Sequence, residues 1–257
     1  MPDQLQLRGG TTSEHSSFTG AAREVTVDTT KKTLVVHDGS TQGGTPLMKE
    51  SGVNSDVAFN GVTVGKGANS VGTNTVLGAA ALDAAVTGGS NTAVGNNSLS
   101  ALTSGSQNTS IGRNTLANLT TASFNTAVGY DALNQCTGQR NTAVGRQALR
   151  ENTSGAQNVA IGYLALYSNT TGSFNIAIGD SALQDNQSTS NIAIGQSSQQ
   201  NTTSGVNNIS IGSFTLDALT TGSNNLAIGG SALGAATTGA QNVAVGGLCL
   251  DAVTTST

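Results

Sequence analysis

Residues 91–107 read NTAVGNNSLSALTSGSQ, and residues 225–241 read NLAIGGSALGAATTGAQ. The shared core, Asn-x-small-[Val/Ile/Leu]-Gly, recurs with its Gly at 78, 95, 112, 129, 145, 162, 179, 195, 212, 229 and 246, at steps of 16 or 17 residues. A twelfth, looser copy ends at Gly65 (Val62-Thr63-Val64-Gly65) and lacks the Asn. Leu stands four residues after the Gly in every copy from Leu82 to Leu250 except one, where Gln199 breaks the column. Helix-pair repeats need about 33–47 residues, so this period is too short for them. Gly, Asn and Thr also oppose helix. The β-prone runs Thr-Ala-Val and Ile-Ala-Ile, each followed by a Thr-Thr-Gly-type turn, read as short strands. Two short strands and two turns per coil, stacked at about 4.8 Å, predict an all-β parallel β-solenoid.

Strand side chains alternate. In Asn141-Thr142-Ala143-Val144-Gly145, Thr142 and Val144 face one way and Ala143 the other. The expectation is that the Thr/Val/Ile face packs inside the coil with the Leu column. The small Ala/Gly face would then meet another sheet. So thin a coil buries little alone, which points to a homo-oligomer with parallel chains, where every coil meets its counterpart. Asn91, Asn108, Asn125, Asn141, Asn158, Asn175, Asn191, Asn208, Asn225 and Asn242 form a column whose amides are expected to bond from coil to coil as a ladder. The Gly column reads as a bend requiring positive φ or close backbone approach.

Composition agrees with a thin stacked coil. Only 9% of the 257 residues are charged, 3% are aromatic and the net charge is −4. Average domains carry about 25% charged residues. Ten thinly spread Lys and Arg argue against a nucleic-acid partner. No stretch approaches the roughly 20 apolar residues of a membrane helix. The opening MPDQLQLRGG lacks the basic start and apolar run of a secretory signal, which predicts folding in the cytoplasm of the producing cell. Half of the acids, both His and both Pro lie within the first 56 residues. The expected division is therefore 1–50, an N-terminal β segment; 51–77, a transition with a first short coil; and 78–257, the repeat. Within the first part, EVTVD (24–28) and TLVVH (33–37) predict a hairpin.

The Asn-x-Ala-[Val/Ile]-Gly copies resemble the left-handed β-roll of trimeric autotransporter adhesin heads. The 17-residue form with Thr170-Thr171-Gly172 and Thr220-Thr221-Gly222 is more similar to bacteriophage tail-fibre and spike repeats. This resemblance implies a homotrimer. The N-terminal residues Arg8, Phe18, Glu24, Val25, Val27, Leu34, Val36, His37, Asp38 and Gly39, within the two strands and their flanks, resemble the N-terminal segment of phage tail-fibre proteins. In that family the segment anchors the fibre to other virion proteins. The resemblance implies a non-enzymatic virion component, probing a host-surface glycan or protein. A capsid decoration or fibre adaptor of the same architecture, and a bacterial trimeric adhesin head, stand as alternatives.

Chemistry-bearing residues are sparse. His15 and His37 lack a third metal ligand nearby, and Cys136 and Cys249 occupy packing columns. The repeat acids are scattered, whereas glycosidase chemistry needs two carboxylates about 5–9 Å apart. No cofactor and no metal are expected. Flat ice binders need unbroken Thr ranks, and here Thr103-Ser104 and Ser188-Thr189 interrupt them. One column varies in a useful way. The residue after the repeat Gly runs Arg113, Tyr130, Arg146 and Tyr163 over four successive copies, and Phe124 and Phe174 each precede the repeat Asn. Arg and aromatic residues are favoured at recognition surfaces, so these six are the candidate receptor or partner contacts.

Overall fold

The computed structural model describes residues 8–17, 25–29, 33–36, 40, 45–46, 56–59 and 61–254. The chain divides into two units, Met1–Ser55 and Asp56–Thr257.

The first unit holds a four-stranded sheet of order β1-β2-β3-β4. Its strands are β1 (Arg8–Gly10), β2 (Val25–Asp28), β3 (Thr33–Val36) and β4 (Thr45–Pro46). β2 and β3 pair antiparallel, with Val25 opposite Val36 and Val27 opposite Leu34, so the expected hairpin is present. β1 pairs parallel to β2, and parallel neighbours need a crossover. The crossover carries a short helix, α1 (Thr12–Ser17). Thr11 starts it: Glu14 N–H donates to Thr11 Oγ1 (3.3 Å), and Glu14 Oε2 accepts from Thr11 N–H (2.6 Å). This reciprocal capping box satisfies two donors that a helix start leaves open.

The second unit is the solenoid. Each repeat contributes one strand: β7 (Thr75–Gly78), β8 (Thr92–Val94), β9 (Thr109–Ile111), β10 (Thr126–Val128), β11 (Thr142–Val144), β12 (Val159–Ile161), β13 (Ile176–Ile178), β14 (Ile192–Ile194), β15 (Ile209–Ile211), β16 (Leu226–Ile228) and β17 (Val243–Val245). All eleven pair in parallel and in register, Ala on Ala or Ser as in Ala143 on Ala160, except that Val76 of β7 stands on Ala93. The looser copy at Gly65 departs from this. β6 (Val62–Gly65) runs antiparallel to β7, and β5 (Val57–Phe59) runs antiparallel to β6. A hairpin thus covers the first edge of the parallel sheet, which would otherwise expose unpaired backbone groups. Asp56 braces it, accepting from the backbone N–H groups of Lys66 (2.6 Å) and Gly67 (2.7 Å).

Two further expectations are corrected. Each coil holds one strand rather than two, because its second side is built from left-handed backbone. The residue four after the Gly has φ between 48° and 54° in every copy. Successive coils still bond along this side, as in Leu149 N–H to Ala165 O (3.0 Å). Left-handed backbone costs an L-residue roughly 1–2 kcal/mol. Burying a leucine contributes about 1.5–3 kcal/mol, which offsets the strain at the leucines from Leu82 to Leu233, all fully buried, while Leu250 in the last coil is exposed.

The strand faces are also the reverse of the expectation. Ala93, Ala127, Ala143, Ala160, Ala177, Ala193 and Ala227 are buried inside the coil, while the flanking Thr, Val and Ile are half-buried or exposed. The reason is volume. The interior is one residue deep, and a leucine already enters from the opposite side, so the strand offers Ala or Ser there in every coil but the first, where Val76 is buried. The β-branched residues form the outer face.

Seven residues after the Gly lies a second interior column: Leu102, Leu119, Cys136, Asn152, Asn169, Asn186, Thr202, Leu219 and Ala236, all buried. It is apolar at both ends and polar in the middle. Near its C-terminal side the apolar core is interrupted between Ala193 and Leu216. There Gln199 replaces leucine. Its Nε2 donates to Ile192 O (2.9 Å) and Ser210 Oγ (2.7 Å), but its Oε1 and Thr202 Oγ1 have no partner. An unmet buried polar atom costs about 1–3 kcal/mol. Gln199→Leu is therefore expected to stabilise the solenoid by about 1–2 kcal/mol, measured as a higher guanidinium midpoint. An unchanged or lower midpoint would show that the Nε2 bonds outweigh the orphaned oxygen.

Candidate functional site

The Asn column forms inside the coil. In each copy the Asn Oδ1 accepts the backbone N–H of the next Asn, as from Asn158 N–H to Asn141 Oδ1 (3.0 Å) and from Asn175 N–H to Asn158 Oδ1 (2.9 Å). The amide Nδ2 donates across the coil to the carbonyl of its own turn, as in Asn158 to Gly172 O (2.9 Å). These side chains therefore satisfy inward-facing backbone groups that have no strand partner. A second, shorter ladder lies beside it. Asn186 Nδ2 donates to Asn169 Oδ1 (3.3 Å), Asn169 Nδ2 to Asn152 Oδ1 (3.0 Å), and Asn152 Nδ2 to Cys136 Sγ (3.6 Å). Sequence reading had placed Cys136 in this column but passed over the three Asn. Their 17-residue spacing was the available signal. Burial pushes the Cys136 thiol up to about 11, against the lowering bonds from Asn152, Gly138 and Asn141, so it stays protonated.

Outside, the column after the repeat Gly brings four of the six predicted residues together. Arg113, Tyr130, Arg146 and Tyr163 are all exposed. Arg113 Cζ lies 5.8 Å from the Tyr130 ring centroid, Arg146 Cζ 5.9 Å from the same ring, and Arg146 Cζ 5.4 Å from the Tyr163 ring. Tyr130 is thus held between two guanidinium groups, and the four side chains form one alternating stack. The turn geometry sets this up. The Gly before each takes φ between 129° and 141° at 112, 129, 145 and 162, which turns the chain out of the strand at the same point in each coil. The other two predicted residues stand at the opposite end of the strands. Phe124 is 49% and Phe174 57% exposed, and Arg140 Cζ lies 5.5 Å from the Phe124 ring.

Sequence reading missed Arg140, Arg150 and Tyr167. Arg150 stacks on Tyr167 at 5.9 Å, pairs with Asp131 at 3.6 Å and binds Glu151. Burial opposes its charge, but Glu151, Tyr167 and Asp131 together raise its pKa. Asp217 is raised too, first by burial and then by Asp251. No group of three or more His, Cys, Asp or Glu able to hold a metal occurs among the described residues. Of the predicted attachment residues, Arg8, Val25, Val27, Leu34 and Val36 fall on β1, β2 and β3. Phe18, Glu24, His37, Asp38 and Gly39 lie outside the described residues. No helix among the described residues is long and apolar enough to cross a membrane.

Residues 5–41 match the family described as the Major tropism determinant N-terminal domain. The tail fiber receptor-binding protein of Bordetella phage BPP-1 is 63% identical over 49 residues, which is 19% of this chain and 13% of that protein. Among solved structures, the Major Tropism Determinant U1 variant is 44% identical over 24% of this chain and 20% of its own, with a TM-score of 0.18. The I1 variant is 43% identical over the same shares, with a TM-score of 0.17. The family match ends at residue 41, before the second unit begins at Asp56. Residues 5–41 thus resemble the major tropism determinant N-terminal domain, and the same chain continues into an eleven-strand parallel β-solenoid.

Proposed function

We propose that this chain is a non-enzymatic structural protein of a phage virion, a tail fibre docked through residues 1–50 and projecting its β-roll for host-surface recognition. The observation that carries this reading is the 63% identity to a tail fiber receptor-binding protein in the N-terminal segment. The partners in this reading are other tail proteins at the N-terminus and a host glycan or protein along the solenoid.

The reading includes a homotrimer, and the corrected strand faces change where its contact lies. The outer face carries two β-branched or apolar side chains per coil from Val159 to Val245, among them Ile161, Ile209, Ile211, Ile228, Val243 and Val245, which are exposed in the single chain. Parallel sheets are ordinarily covered on both faces. A second and third copy in parallel would cover every rank alike, while the Ala column is already filled from inside. The number three rests on the resemblance to trimeric β-rolls.

The test combines mass and position. Light scattering on the purified protein is expected to give the mass of three chains. A C-terminal label is expected at the virion tail and lost from the virion when residues 1–50 are deleted. A monomer would sink the oligomer. Label on the capsid shell, or incorporation unaffected by the deletion, would sink the tail-docking role.

A further inference from the structure

The exposed column Arg113–Tyr130–Arg146–Tyr163 differs from the rest of the solenoid in charge. All four Arg of residues 78–257 fall between 113 and 150, and all three Tyr of the chain fall between 130 and 167. After residue 150 every charged residue is acidic: Glu151, Asp180, Asp185, Asp217 and Asp251. Arg150 is neutralised by Asp131 and Glu151. Arg113 and Arg146 make no ion pair among the described residues. Asp131, next to Tyr130 in sequence, is turned away to Arg150 and to Asn114 Nδ2 (3.1 Å).

Stacking on a ring occupies the flat face of a guanidinium and leaves its in-plane N–H donors free. Those donors form a planar fork that matches a carboxylate or phosphate two bonds at a time. The stack therefore sets two such guanidinium groups on one exposed edge, with tyrosines between and beyond them. Arg113 and Arg146 are two coils apart, about 10 Å at the sheet spacing.

From this geometry we infer that the edge binds an anionic polysaccharide, its acidic groups on the two Arg forks and its hydroxyls on Tyr130 and Tyr163. The spacing decides against an acidic peptide. Side chains on one face of an extended peptide repeat at about 7 Å, not 10 Å. A chain with an acidic group on every second sugar unit presents charge more sparsely and carries hydroxyls between. The inference names the ligand class for the host-recognition reading above. It rests on that reading for its biological setting, not for its chemistry.

The test is binding by the purified full chain to four probes: hyaluronate, with a carboxylate on every second sugar, a polysaccharide of disaccharide units joined by phosphodiesters, neutral dextran and polyglutamate. Binding to either acidic polysaccharide is expected, weakening with salt because exposed charges are screened. The carboxylate and phosphodiester arms identify the acidic group. Arg113→Gln and Arg146→Gln are each expected to weaken binding about tenfold, the size of one charge-assisted bond pair. Arg146→Lys keeps the charge but loses the fork and is expected to weaken binding as well. Arg140→Gln removes the same charge from the opposite end of the strand and is expected to change nothing. Equal binding of dextran or polyglutamate would overturn the inference. So would no binding to either acidic polysaccharide, or an equal loss in Arg140→Gln. A chain that fails these assays yet labels the virion tail would leave the tail-fibre role intact, so the two readings fail separately.

Discussion

Gly112→Ala is expected to destabilise the solenoid by about 4 kcal/mol or more and to lower its melting temperature by roughly 10 °C. At Gly112 φ is +138°, which an L-residue rarely adopts. A β-carbon there would stand 2.6 Å from the carbonyl oxygen of Gly129 and 2.9 Å from its carbonyl carbon. Both are backbone atoms of the next coil, so no side-chain rotation relieves the clash. Relief requires the coils to separate, and that breaks the strand pairing between β9 and β10. The companion change Gly72→Ala meets open space at an ordinary φ and is expected to stay within about 0.5 kcal/mol of wild type. Circular dichroism melts of the two variants give the comparison. Equal melting temperatures would show that the Gly column is compositional rather than steric.

Asn158→Ala should cost about 3–5 kcal/mol, read from guanidinium unfolding. Asn158 is fully buried. Its removal strands the backbone N–H of Asn175, which donates to Asn158 Oδ1 at 2.9 Å. It also takes a donor from Gly172 O (2.9 Å) and one from Asn141 Oδ1 (3.2 Å). Each orphaned buried group carries a penalty of about 1–3 kcal/mol. The exposed Asn96→Ala is the comparison, because it makes a single bond to Ala79 O (3.2 Å) at the surface. A similar loss in both variants would mean that the buried ladder contributes no more than a surface amide.

Much of this architecture was legible because the repeat states it eleven times. Period, strand position, Asn ladder and Gly bend all follow from the copies aligned on Asn-x-small-[Val/Ile/Leu]-Gly. The inside and outside of the strand were misassigned for a reason that volume explains. Apolar alternation alone favours placing Val144 inward over Ala143, but Leu149 and its neighbours already fill a narrow interior. The missing second strand is equally physical, since nothing in a leucine announces a φ near 50°. The Arg113–Tyr163 column was visible as a pattern, but its stacked geometry was not, because that depends on side-chain distances between coils. The capping box at Thr11 and Glu14 was present as a Thr-x-x-Glu signature and overlooked beside the stronger strand signals.

Near-identical coils raise a problem of counting during folding. A chain that skipped one repeat would still pair Ala on Ala, Asn on Asn and Gly on Gly, so the sheet itself cannot detect a slip of 17 residues. The second interior column can. Leu102, Leu119, Cys136, Asn152, Asn169, Asn186, Thr202 and Leu219 differ along the axis. Joining Leu119 directly to Asn152 would leave that amide without the Cys136 sulfur, and joining Asn152 directly to Asn186 would shorten the amide ladder by one rung. The polar middle of the core thus acts as an address, telling each turn of the chain which neighbour is its own.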